Sequence, residues 1–252
     1  MSGRLAVLGA AGFILLGNLF AAEPQVVPGT TLTLAFPHLP RMHDDLPAAC
    51  EVHIPKDYDA GTPVPLLVWF SGGKGSQHVA GANGLVNFDR FVVVALPYPG
   101  GRDMRAFIKE GGVDDVWAFQ QSMLSKVREL IPNIDVRVRI AAGTSNGAHL
   151  IGTGLNRDWA GFVDYFSLFV LHEGGAAPTY SYSAAKNKRL LVVWGEDSEA
   201  LKWQLWFNAR IGQSDARISY HSVPGAGHGL TARGRDVIRA WIDEAITLVP
   251  AR

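Results

Sequence analysis

Charge of one sign is not in excess in this 252-residue chain: Lys plus Arg and Asp plus Glu number 23 each. Without a basic field there is nothing to hold a polyanion, so nucleic acid is not an expected partner. Cysteine is almost missing. Cys50 is the only one, which excludes an internal disulfide. It sits in the strand-like PAACEVHIP and reads as a small buried hydrophobe with no catalytic role. There is no internal repeat, no low-complexity linker and no block of like charge that would mark a disordered tail. Long apolar runs are missing as well. Residues 5–16, LAVLGAAGFILL, form a run of about a dozen, short of the roughly 18–20 residues needed to span a bilayer.

What is present at the N-terminus is the layout of a secretory signal peptide. A short basic MSGR precedes the apolar run, and the small-residue segment GNLFAA follows it. Cleavage is expected after Ala21 or Ala22, with Phe20 an awkward residue three positions before the second site. Residues 1–22 are therefore read as the signal peptide and 23–252 as one catalytic domain, secreted or periplasmic. No stable membrane anchor is expected after cleavage. No cysteine follows the apolar run to carry a lipid.

With 48% hydrophobic residues the chain can bury one sizeable core. After residue 22, strand-like and helix-like segments alternate. TLTLAF and CEVHIP read as early strands. VPLLVWF and FVVVALP are continuous apolar runs of the kind found in strands covered on both faces. GGVDDVWAFQQSMLSKVRELIPN carries its apolar residues mostly on one helical face. Asp114 and Asp115 lie in its first turn, and Pro132 stops it. VRVRIAAG, FSLFVLHEG, KRLLVVWGED and ARISYHSV follow as strands, AHLIGTGL and ARGRDVIRAWIDEAITLV as helices. The alternation predicts an α/β fold with a mostly parallel central sheet and helices on both faces.

Against that background GTSNG, residues 143–147, is a Gly-x-Ser-x-Gly at a strand-to-helix turn. Such a turn strains the serine backbone and leaves the hydroxyl exposed above the sheet, which makes Ser145 the candidate nucleophile. A serine hydroxyl needs a base, and the base an orienting acid. In this arrangement the order along the chain is Ser, then Asp or Glu, then His. Asp197, just beyond the strand in LLVVWGEDSE, is the favoured acid, with Glu196 and Glu199 as alternatives. His228, in the loop SVPGAGHGL, is the favoured base, and His172 is its competitor. The oxyanion is expected on the backbone N–H groups of Asn146 and Gly73, with Gly72 as the alternative to Gly73. FSGGKGS is not a phosphate loop, because the full Gly-x4-Gly-Lys-Ser/Thr pattern is missing. Trp194, Trp203 and Trp206 flank the acid loop and are candidates for an acyl- or aromatic-binding wall; His172 and Glu173 are candidates for the cleft rim.

On the residues IPKDYDAGTPVPLLVWFSGG, GGVDDVWAF and GTSNGAH the chain resembles the α/β-hydrolase superfamily. Within it the resemblance is to the secreted esterases grouped as poly(3-hydroxybutyrate) depolymerase and feruloyl-esterase-like proteins. It runs closely from about residue 50 to 155, and beyond that mainly at WGED and GAGHG. The family usually has His-Gly where this chain has Ser71-Gly72. The resemblance implies a single-domain hydrolase fold and acyl transfer through Ser145, Asp197 and His228, with no metal or cofactor. The implied substrate is a small soluble ester, such as a hydroxyalkanoate, feruloyl or acetyl ester. A peptidase or amidase on the same fold and a catalytically inactive binding protein on this scaffold are the alternatives.

Overall fold

A computed structural model describes residues 24–248, except 103, 158, 160 and 176–178. The proposed signal peptide lies outside the described residues. Two strands, β1 (Thr31–Ala35) and β2 (Ala49–His53), lead into β3 (Val64–Phe70) and β4 (Val92–Ala95). The helices α1 (Met104–Glu110) and α2 (Val113–Leu130) follow, then β5 (Ile134–Thr144) and α3 (Asn146–Asn156). The short α4 (Phe162–Tyr165) precedes β6 (Leu168–His172), and β7 (Arg189–Gly195) follows. The chain closes with α5 (Leu201–Ile211), β8 (Arg217–Val223) and α6 (Ala232–Thr247).

The strands form one eight-stranded sheet in the order β1-β2-β4-β3-β5-β6-β7-β8. β1 and β2 run antiparallel at one edge, and every pairing from β4 to β8 is parallel. The period-two alternation of the central strands separates two cores. Leu66, Val68 and Phe70 of β3 join Leu190 and Val192 of β7 in a core shared with α2, α3 and α5. Leu67, Trp69, Leu191 and Val193 face the opposite way, against Ile238, Ile242 and Ala245 of α6 and the segment 79–86. A sheet covered on both faces explains why the strand sequences are continuously apolar; each fully buried aliphatic or aromatic side chain contributes about 1.5–3 kcal/mol.

Local signals set the helix ends. α2 stops at Leu130, two residues before Pro132, and its first turn holds Asp114 and Asp115. α6 is capped by Thr231, whose hydroxyl accepts the backbone N–H of Gly234 at 3.1 Å. Cys50 is fully buried, as expected, and its thiol is pushed up to about 12 by burial. Because β5, β6, β7 and β8 are parallel, their carboxyl ends lie along one edge. The loops bearing residues 145, 173, 197 and 228 all leave from there.

Candidate active site

Ser145 stands between the end of β5 and the start of α3 with φ 51° and ψ −113°, a conformation outside the regions L-residues normally occupy. Two contacts hold it there: its N–H donates to the His172 carbonyl at 2.8 Å, and its own carbonyl accepts the His149 N–H at 3.0 Å. The flanking glycines are required by space. A Cβ at Gly147 would lie 1.9 Å from the Phe70 carbonyl oxygen, and one at Gly143 would lie 2.5 Å from the Gly147 carbonyl carbon. Any side chain at either position would force the strand and helix apart.

His228 Nε2 is 3.0 Å from Ser145 Oγ, so the structure brings these two residues together across 83 positions of sequence. The expected acid is not at the imidazole. Asp197 is exposed, and it makes no side-chain hydrogen bond among the described residues. Glu196 is exposed too, and accepts the Ser222 hydroxyl instead; Glu199 is exposed. The group beside the imidazole is Glu173, whose Oε2 lies 3.1 Å from His228 Nδ1. The reason is the turn geometry. Asp197 occupies the turn after β7 and uses its backbone, donating its N–H to the Ala226 carbonyl at 2.9 Å. That bond pins the loop that carries His228, while the Asp197 side chain stays in solvent.

Glu173 immediately follows β6 with φ 55°. Its side chain is completely buried. A buried carboxylate must be matched by donors, and this one is. Oε1 accepts the Gly195 N–H, and Oε2 accepts the Ser198 hydroxyl at 2.7 Å besides facing the imidazole. The acid is thus fixed by β7 and the turn after it, although it belongs to β6. The chain order Ser, acid, His is retained, with the acid one strand earlier than the motif reading places it. The sequence signal was an acidic residue directly after a buried strand, in LHEGG.

The loop after β3 closes the other side. Gly72 approaches Ser145, a Cβ there standing 3.2 Å from the serine Cβ. Gly73 has φ 60°, and its carbonyl accepts Asn146 Nδ2 at 2.9 Å. Tyr98 donates its hydroxyl to the Ser71 carbonyl at 2.8 Å. The loop is therefore tied at two points, residues 71 and 73, despite carrying serine at position 71.

Of the proposed substrate-contacting residues, Trp203, Trp206 and Glu173 lie on the cavity over Ser145. This cavity of about 410 Å³ opens over Ser145 and His228, and Trp203, Gln204 and Trp206 of α5 wall one side, with Arg105 and His149 also on its lining. Trp203 is 63% exposed, unusual for so large an apolar ring. Trp194 is not on this lining; it packs edge-on against Tyr220. His172 is not on it either. It is the last residue of β6, enclosed between β5 and β7, with Nδ1 2.8 Å from Thr144 Oγ1. Burial lowers its pKa to about 4, which keeps the ring neutral. His149 accepts the Gly175 N–H at Nδ1, so its proton is assigned to Nε2. Among the described residues no group of three or more His, Cys, Asp or Glu side chains is placed to hold a metal ion.

No family model matches the sequence, and no curated protein matches it. Solved structures do match in fold. Esterase 2 of Thermogutta terrifontis, in a form phosphorylated by paraoxon, is similar with TM-score 0.60 and 16% identity, covering 92% of this chain and 99% of that one. The Bacillus cereus carboxylesterase is similar with TM-score 0.58 and 18% identity, covering 74% and 90%. YahD, solved with malic acid, gives TM-score 0.57 and 13% identity over 85% and 99%. The sheet order, the strained serine turn and these likenesses agree: the chain has the α/β-hydrolase fold.

Proposed function

We propose that the protein is a serine carboxylic-ester hydrolase working by acyl transfer through Ser145, His228 and Glu173. One observation carries the reading: the hydroxyl, the imidazole and a fully buried carboxylate form an unbroken hydrogen-bonded line, 3.0 Å and 3.1 Å long at its two links. In this line His228 Nε2 takes the proton of Ser145 as its oxygen attacks the ester carbonyl. Glu173 holds the imidazole tautomer through Nδ1–H and stabilises the cation that forms. The oxyanion is received by the backbone N–H groups of Asn146 and Gly73, donors that act where charge develops. His228 then protonates the departing alcohol, and water attacks the acyl-enzyme with the same imidazole as base.

The cavity volume and the aromatic wall of α5 suit a small soluble ester, a hydroxyalkanoate, feruloyl or acetyl ester among them. The likeness to esterases of the same fold favours esters over amides. The test is hydrolysis of 4-nitrophenyl butyrate by the wild-type protein and Ser145→Ala, with fluorophosphonate labelling alongside. The expected result is a fall to background in the variant, a loss of at least about 10³-fold, and labelling of the wild type only. Equal rates in both proteins would refute the mechanism.

A further inference from the structure

The catalytic cavity has one feature that the triad does not use. Arg105 lies on its lining, on the same cavity as Ser145 and His228. The residue is exposed, yet its helix is anchored: its neighbours in α1, Met104 and Phe107, are buried in the core. The arginine three positions earlier is engaged elsewhere, Arg102 pairing with Glu110 and lying over the Phe107 ring. Arg105 has no ion-pair or hydrogen-bond partner among the described residues. Among the described residues, the only carboxylate on the cavity lining is Glu173, and both its oxygens are occupied. Among the described residues, the cavity that holds the nucleophile therefore has on its lining a guanidinium with unused donors and no free carboxylate to oppose it. The same cavity is lined by Trp203 and Trp206, whose rings give a carbon chain or aryl group somewhere to lie.

We infer that Arg105 selects esters bearing a second group that is an ionised carboxylate, on either the acyl or the alcohol side. A planar fork of N–H donors matches a carboxylate, and a charge-assisted bond in a partly enclosed cleft is stronger than a neutral one. This rests on the esterase reading of the same site. Arg105 acts as a specificity residue here, and no step of acyl transfer passes through it.

The test compares kcat/KM for two matched pairs in the wild type, Arg105→Gln and Arg105→Lys. One pair is 4-nitrophenyl hemiglutarate and its methyl ester; the other is 4-acetoxybenzoate and its methyl ester. In at least one pair the anionic-to-neutral ratio is expected to fall about tenfold in Arg105→Gln, carried by KM, and to be partly restored in Arg105→Lys. A ratio unchanged within about twofold in both pairs, with fluorophosphonate labelling intact, would overturn the assignment while leaving the esterase reading standing. Absence of both labelling and hydrolysis in the wild type would overturn the two together.

Discussion

At the scale of single residues, the site turns on which carboxylate faces His228. Glu173 and Asp197 both lie beyond the end of a parallel strand, 24 positions apart, yet only one is desolvated. A buried, fully hydrogen-bonded carboxylate keeps one tautomer of the imidazole; an exposed one across a turn has no such hold on it. Glu173→Gln preserves shape but removes the charge and offers His228 Nδ1 a donor or a weaker acceptor. It is expected to lower kcat by about 10²–10⁴-fold, whereas Asp197→Asn should stay within about twofold. Rates for the two variants on 4-nitrophenyl butyrate decide it, and the reverse ranking would return the acid to Asp197. The sequence exposed Ser145 and the His228 loop because both are marked by local punctuation: a glycine-flanked turn and a histidine between glycines. The acid is marked only by its place after a buried strand, a mark it shares with residues 196–199. EDSE in residues 196–199 offers three acidic groups, and what distinguishes Glu173 from them is burial, which depends on Gly195 and Ser198 reaching across from the neighbouring strand.

At the scale of elements, most strands and the long helices were legible. Central parallel strands are continuously apolar, and α2 and α6 carry clear one-sided patterns. α5 was not legible, although it builds the aromatic wall. In LKWQLWFNARI the apolar residues lie all round the helix, and Leu205 and Trp203 are exposed at 53% and 63%. A helix that keeps large apolar rings for a cavity shows no single buried stripe. The elbow between β5 and α3 is the opposite case, since its spacing follows from contact. Gly147→Ala would place a methyl group 1.9 Å from the Phe70 carbonyl oxygen, which backbone movement alone can relieve. It is expected to destabilise the fold by more than about 3 kcal/mol. Gly227→Ala, where a methyl group meets nothing within 4 Å, should change stability by less than about 1 kcal/mol. Urea midpoints for the two variants measure the contrast, and a tolerated Gly147→Ala would show that the turn is not packed as described.

At the scale of the whole molecule, one sheet that is buried on both faces leaves little room for polar groups, and His172 is a titratable group enclosed within it next to the site. It is 2% exposed and sits at the end of β6 between β5 and β7. Burial lowers its pKa from 6.5 to about 4. Above pH 6.5 the ring is neutral in both folded and unfolded chains and has no effect on the pH dependence. Below pH 6.5 the unfolded chain binds a proton that the folded chain refuses until about pH 4. Global stability must therefore fall through that window, and at about 1.4 kcal/mol per pH unit the loss is roughly 3 kcal/mol. Ionised carboxylates add their own acid-induced loss, so the imidazole is isolated by difference. The urea midpoint of the wild type should drop more between pH 7 and pH 4.5 than that of His172→Gln, which has no group to protonate. Parallel losses in the two proteins would mean that the unfolded chain gains no protons over the folded one at this position, and that the ring at the end of β6 is charged or solvated in the native state.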